Sequence, residues 1–372
     1  MRRVTVGVLA AIVVTLCAAA AHGFNGGPAC FGKAATIIGS GTIEGTAGQD
    51  VILGSAGADT IDGKGGNDVI CGAGGGDVLA GGLGDDQIDG GAGADQIVGD
   101  VSAGGSQAPG PDPGVTGDAV GGGNDRVLGG DGDDIITGDS FAPNGNAIGG
   151  GNDQIFGGAG VDRIAGDSNT KAGTATGGGN DLVVGGDGDD SLVGDSHSVF
   201  EAGNVTGAGN DVLQGGLGVD GLVGDSEGLN AAGNGGHDIL DLGSDGGFVA
   251  IGDHVSIGAA SGAGNDVVTG GSSDDLLIGD SIAGTATAAG NDIIHGNAGN
   301  DLVLGDNVDF FTLVTIGTAG GNDVLDGGDG VDSLIAGPAN DLLDGGADTP
   351  DYCDGETGND TAKHCEITAG IP

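Results

Sequence analysis

The chain has no tryptophan, one tyrosine and only 2% aromatic residues in 372. A conventional globular core built on large side chains is therefore excluded. Positive charge is equally scarce, with eight Lys and Arg against 55 Asp and Glu and a formal charge of -47. That imbalance excludes nucleic acid and anionic membrane surfaces as partners, because both are recognised through clustered cations. Apolar runs are missing beyond the first residues, so no membrane span is expected in the rest of the chain. No stretch has helical periodicity, and none of the six histidines lies in an H-E-x-x-H pattern. Five cysteines occur in all, none in a C-x-x-C spacing, which argues against a zinc site.

What is present in excess is glycine, at 92 residues. Such a composition alone reads as disorder. Periodicity overturns that reading. Asp50, Asp59, Asp68, Asp77, Asp86 and Asp95 fall nine residues apart, each in the same cassette. Gly81-Gly-Leu-Gly-Asp-Asp86-Gln-Ile88 and Gly90-Gly-Ala-Gly-Ala-Asp95-Gln-Ile97 show the pattern G-G-x-G-x-D-x-U-x, with U aliphatic. Glycines permit a tight loop whose carbonyls turn inward. The aspartate supplies hard oxygens. The residue two places later is aliphatic in every good cassette, as in Ile52, Ile70, Ile88, Ile136, Ile164, Leu192, Leu222, Leu277, Val303 and Leu334. The residue between varies from Val69 to Gln96 to Arg163. This is period-two behaviour, one side chain in and the next out. Each cassette reads as a glycine loop plus a very short strand, and two cassettes make one coil of a parallel stack.

The expected organisation runs as follows. Residues 1–23 carry Arg2 and Arg3, an apolar run from Val4 to Leu16 and small residues from Ala18, the layout of a secretory signal peptide. Residues 24–44 form an N-terminal cap. Residues 45–98 hold uninterrupted nonapeptides. Residues 99–345 continue with a period near 28, in which two cassettes are followed by a Gly-Asp step and an insertion of roughly ten residues. First-cassette aspartates there are Asp125, Asp153, Asp181, Asp211, Asp238, Asp266, Asp292 and Asp323. Second-cassette aspartates are Asp134, Asp162, Asp190, Asp220, Asp275, Asp301 and Asp332, with Gly247 standing where one more is expected. Fading cassettes lie at Asp341 and Asp360, and residues 346–372 form a C-terminal cap that holds the last cysteine pair. Cys30, Cys71, Cys353 and Cys365 sit as two pairs at the ends of the array, which in an oxidising compartment predicts disulfides Cys30–Cys71 and Cys353–Cys365. Cys71 occupies an outward cassette position.

Stacked carboxylates one coil apart, about 4.8 Å, repel by roughly 1 kcal/mol per pair even in water. A long ladder of them opposes folding unless cations neutralise it. Lys and Arg are too few to do so.

These cassettes resemble the haemolysin-type calcium-binding repeats of the RTX proteins over about residues 45–345. The resemblance implies an all-β parallel β-roll, a β-solenoid, in which each calcium lies between equivalent loops of successive coils and is held by cassette aspartates and loop carbonyls. Carried over, Asp50, Asp68 and Asp86 line one edge, and Asp59, Asp77 and Asp95 the other. The later cassette aspartates named above, with Asp341, continue the two edges. The ion implied is Ca2+, in multiple copies, since calcium accepts six or more oxygens in loose geometry. Three departures stand out. Family members usually leave the cell through a C-terminal signal, whereas this chain carries the N-terminal layout. The insertions interrupt one edge, where the Gly-Asp aspartates Asp100, Asp139, Asp167, Asp195, Asp225, Asp253, Asp280 and Asp306 either add ligands or cap turns. No segment outside the repeats is large enough for the separate effector domain that family members often carry.

Gly224-Asp-Ser226-Glu-Gly228 matches the nucleophile pattern G-x-S-x-G but lacks its strand–turn–helix setting. Gly-Asp-Ser recurs at Ser140, Ser168, Ser196 and Ser281 and so reads as a structural turn. The expectation is a secreted, non-enzymatic, calcium-binding roll of about a dozen coils, roughly 55–60 Å long, with a structural or adhesive role toward a cell-surface or extracellular macromolecule. A secreted hydrolase or toxin-like effector is the alternative, carried only by family association.

Overall fold

The computed structural model describes residues 28–101, 117–198, 203–347 and 350–372. The expected signal segment at 1–23 lies outside them. Every cassette becomes a strand of a few residues, and successive cassettes alternate between two parallel sheets of fourteen strands each. The first roll sheet runs from Ile37–Ile38 to Thr361–Lys363, the second from Thr42–Glu44 to Ile367–Ala369. At the sheet spacing, this stack is about 60 Å long. No helix occurs among the described residues.

Register follows the aliphatic column. Ile52 pairs with Ile70, Ile70 with Ile88, Ile88 with Val127 and Val127 with Ile155. These side chains, with Ile61, Leu79, Leu213 and Leu240, are fully buried in a single core that runs the length of the roll. Each contributes about 1.5–3 kcal/mol of apolar burial. One medium aliphatic residue per strand suffices, because the two sheets are joined by tight glycine loops and leave no room for larger groups.

Those loops demand glycine for two separate reasons. Gly93 has φ +136°, and a Cβ there would lie 1.9 Å from the Gly75 carbonyl oxygen. Gly81 has an ordinary φ, yet its Cβ would lie 2.1 Å from the Gly99 carbonyl oxygen and 2.2 Å from Asp86 Oδ2. The first position excludes L side chains by backbone conformation, the second by crowding oxygens.

The insertions are themselves ordered. They stack in register as two further parallel sheets of seven strands, from Phe141–Ala142 to Val308–Asp309 and from Ala119–Val120 to Thr285–Ala286. A second, thinner lobe thus runs beside coils of the main roll. Its interior is a column of small residues, with Ala147 beside Ala175 and Ala175 beside Val205, all buried. Small side chains fit there because strands of two or three residues joined by short turns bring the lobe's sheets together, as Ala119, Ala142 and Ala147 pack against one another.

Both disulfides form as expected, Cys30–Cys71 and Cys353–Cys365. Cys71 does sit on the outward side of its strand, but Cys30 and Phe31 of the cap fold over it and bury it. Cys353 instead takes the inward position of a degenerate cassette, paired in register with Leu334 and fully buried.

Candidate metal centre

The roll brings the cassette aspartates into two columns, one per edge. On the first edge, each aspartate N–H donates to Oδ1 of the aspartate one coil on. The series runs Asp50, Asp68, Asp86, Asp125, Asp153, Asp181, Asp211, Asp238, Asp266, Asp292, Asp323, Asp341 and Asp360, at 2.6–3.0 Å. The second edge repeats the arrangement through Asp59, Asp77, Asp95, Asp134, Asp162, Asp190 and Asp220 at 2.7–2.9 Å. Gly247 breaks it by offering no carboxylate to Asp220, although its own N–H still reaches Asp275 Oδ1 at 2.9 Å. Beyond it the column resumes through Asp275, Asp301, Asp332 and Asp351. Asp351 escaped the sequence reading. Its signal was present, since Asp351-Tyr-Cys353 puts a small apolar residue two places after the aspartate.

Oδ1 is therefore consumed by the fold, while Oδ2 accepts a loop amide in Asp50, Asp59 and Asp275. In most of the column residues, among them Asp68, Asp77, Asp86, Asp125, Asp153 and Asp181, Oδ2 is buried with no hydrogen-bond partner. A buried, unpartnered carboxylate oxygen is strongly unfavourable unless a proton or cation meets it. Among the described residues no Lys or Arg forms an ion pair with either column. Beside each Oδ2 lies a loop carbonyl from the next coil, as Gly90 O and Asp77 Oδ2 both crowd the space where a Cβ of Gly72 would be. Carboxylate and carbonyl lone pairs thus converge on a cradle that only glycine leaves free.

The Gly-Asp aspartates cap the insertion loops with one carboxylate oxygen and leave the other without a partner. Oδ1 accepts the loop amide, from Gly123 to Asp139 at 3.0 Å and from Gly151 to Asp167 at 3.0 Å. Oδ2 of Asp139 and of Asp167 has no partner and turns toward the first-edge column. Asp100, Asp125 and Asp139 place carboxylate oxygens within 4.8 Å of one another. Asp139, Asp153 and Asp167 do likewise, as do Asp167, Asp181 and Asp195, and then Asp195, Asp211 and Asp225. The edge carrying the insertions is thus the more acidic one, with two buried aspartates per coil against one on the other edge.

Electrostatics follow from this geometry. Burial pushes Asp86 up to about 7 and Asp134 to about 8. Burial, then the facing Asp100 and Asp153, raises Asp125 to about 11. As bare carboxylates these groups resist ionisation, so each must hold a proton or share a cation. The donor set is carboxylate and carbonyl oxygen throughout, which suits a large, hard divalent ion of flexible coordination. Calcium fits; zinc, which takes nitrogen and sulfur, does not.

Ser226 lies in a column with Ser140, Ser168, Ser196, His254 and Ser281, all fully buried. His254 Nδ1 lies 3.7 Å from Asp225 Oδ2 and accepts from the Ser226 N–H, not from its hydroxyl. Burial holds His254 down at about 4, so it is neutral. His237 replaces an asparagine in an exposed ladder of side-chain amides and takes the Asn265 N–H at 3.0 Å.

A parallel β-solenoid whose edges are lined by paired carboxylate and carbonyl oxygens is the class that fold and site define. The family model for the RTX calcium-binding nonapeptide repeat matches residues 38–70, 72–102, 119–142, 149–169, 175–197, 205–227, 260–281, 287–309 and 318–349. The chain belongs to that family. No curated protein matches it as a relative.

Proposed function

We propose that this protein is an exported calcium-binding roll that folds only as calcium fills its edges, and that it serves as a structural or adhesive element outside the cell. The observation that carries this reading is the column of buried Oδ2 atoms with neither protein partner nor compensating cation. On the insertion-bearing edge, two aspartates per coil carry a charge that one Ca2+ per coil would cancel. The cassette aspartates, the Gly-Asp aspartates and the loop carbonyls would hold the ions; calcium supplies the charge that lets neighbouring coils approach. Because each cradle is shared between coils, it does not exist in the extended chain, so binding free energy becomes folding free energy. Extracellular modules bind calcium at roughly 0.1–1 mM, which would leave the chain unfolded inside a cell and folded outside. Two disulfides accord with an oxidising compartment.

Far-UV circular dichroism during a calcium titration, repeated with magnesium, tests the proposal. A cooperative gain of β signal with calcium alone is expected. A β spectrum already complete in chelator at neutral pH would overturn it.

A further inference from the structure

The seam between the outer face of the second roll sheet and the lobe sheet that begins at Phe141 changes character along the axis. Toward the C-terminal coils it is closed by Val223, Ile251, Val255, Ile278, Ile282 and Leu304, buried against one another. Toward the N-terminal coils the same seam opens into a cavity of about 330 Å³. Its floor is apolar, formed by the buried Val98, Phe141, Ala165 and Val193. Its rim carries Arg163, Lys171, Asn169, Ser191 and Gln96.

Two of these residues bring positive charge to one site on a strongly acidic chain. The chain has eight Lys and Arg against 55 acids; elsewhere Lys64 and Lys363 pair with Glu44 and Asp344, and Arg126, like Lys33 without an ion pair among the described residues, lies over the Phe31 and Phe156 rings. Arg163 and Lys171 are exposed, and among the described residues neither has a carboxylate within ion-pair distance. The neighbours of Arg163 in register are Ile135 and Ser191, with Gln96 beyond Ile135, so no acid flanks it on that face. Lys171 Nζ is held 5.7 Å over the Phe141 ring. The acid at the cavity's far end is Glu227, whose Oε2 is 3.9 Å from His197 Nε2. Two uncompensated cations therefore converge over an apolar floor on a polyanionic rod.

We propose that this cavity binds a small amphiphilic carboxylate, with an aliphatic or aromatic body on the floor and the carboxylate between Arg163 and Lys171, away from Glu227. Arginine's planar fork matches a carboxylate in two parallel hydrogen bonds. Asn169 and Ser191 add neutral polar groups at the rim. The volume falls in the range of small-molecule sites. A polyanion is disfavoured, because charges extending beyond the cavity would meet the acidic rod.

The test is isothermal titration calorimetry of octanoate into the full chain in calcium, under conditions where circular dichroism shows the β fold, with 1-octanol as the neutral control. Saturable 1:1 binding of octanoate, absent or weaker for octanol, is expected. In the Arg163→Gln/Lys171→Gln variant that binding should weaken about tenfold or more, with the β spectrum retained. Val193→Phe, which fills the floor and leaves both cations, should also weaken it. No saturable heat, equal affinity for octanol, or affinity unchanged in the charge variant would each overturn the proposal. None of these outcomes depends on whether the fold itself requires calcium.

Discussion

Replacing Asp181 by asparagine separates what the aspartate columns do with metal from what they do without it. Asp181 belongs to the cluster with Asp167 and Asp195, whose oxygens lie within 4.8 Å of one another. At that distance, with an effective dielectric constant near 20, each like-charge pair costs roughly 3 kcal/mol. Asparagine keeps an Oδ1 to accept the Asp153 N–H, now at 2.7 Å, so the backbone register survives. In chelator the substitution should therefore favour the folded roll by about 2–4 kcal/mol. Burial, then Asp211, raises Asp181 to about 8 from an ordinary value of 3.8. Its charge accordingly costs the metal-free roll nothing below pH 3.8, progressively more as pH rises, and its full amount above about 8. Acidification in chelator should restore β signal, and Asp181→Asn should regain it at a higher pH than the parent. In saturating calcium the sign reverses, because a charged oxygen is lost from an ion's surroundings. Urea unfolding there should show a loss of about 2–3 kcal/mol. The calcium midpoint should rise only about twofold, since a cooperative array shares that loss among several ions. Circular dichroism reads all three. Effects of the same sign in chelator and in calcium would refute the reasoning.

Gly81→Ala would push a methyl onto the Gly99 carbonyl and Asp86 Oδ2. It should cost about 3 kcal/mol or more in calcium-saturated urea unfolding, whereas Gly48→Ala, with open space at its Cβ, should cost under about 1 kcal/mol. Opening Cys30–Cys71, which spans 41 residues, by Cys30→Ser with Cys71→Ser should remove up to about 4 kcal/mol of loop-closure stabilisation, read as a lowered urea midpoint under non-reducing conditions. Calcium affinity should fall as pH drops from 8 to 6, because Asp134 and Asp323, each raised to about 8 chiefly by burial, then hold protons that the ion must displace; a pH-independent calcium midpoint would contradict this. Leu213→Ala, at a fully buried position in the middle of the core, should cost about 2–5 kcal/mol in calcium.

The sequence by itself determined the repeat. Aspartate recurs at one phase and an aliphatic residue two places on, and that is enough to define a parallel coil, its inward column and its two acidic edges, from Ile52 and Asp50 to Leu334 and Asp332. It also determined which cysteines pair, because the pairs lie at opposite ends of the array. Tertiary structure alone decided three things. Small residues such as Ala147, Ala175 and Val205 form a second pair of sheets only because the coils beneath hold them in register at one strand spacing; in isolation, strands of two or three residues have no periodicity to read. Asp139 meets Asp153 and Asp167 through the same stacking, across coil gaps that no local pattern encodes. Cys71, outward by its cassette position, is buried because the cap folds over it. In each case the local rule sets where a side chain points, and the partner it meets is set by the neighbouring coil.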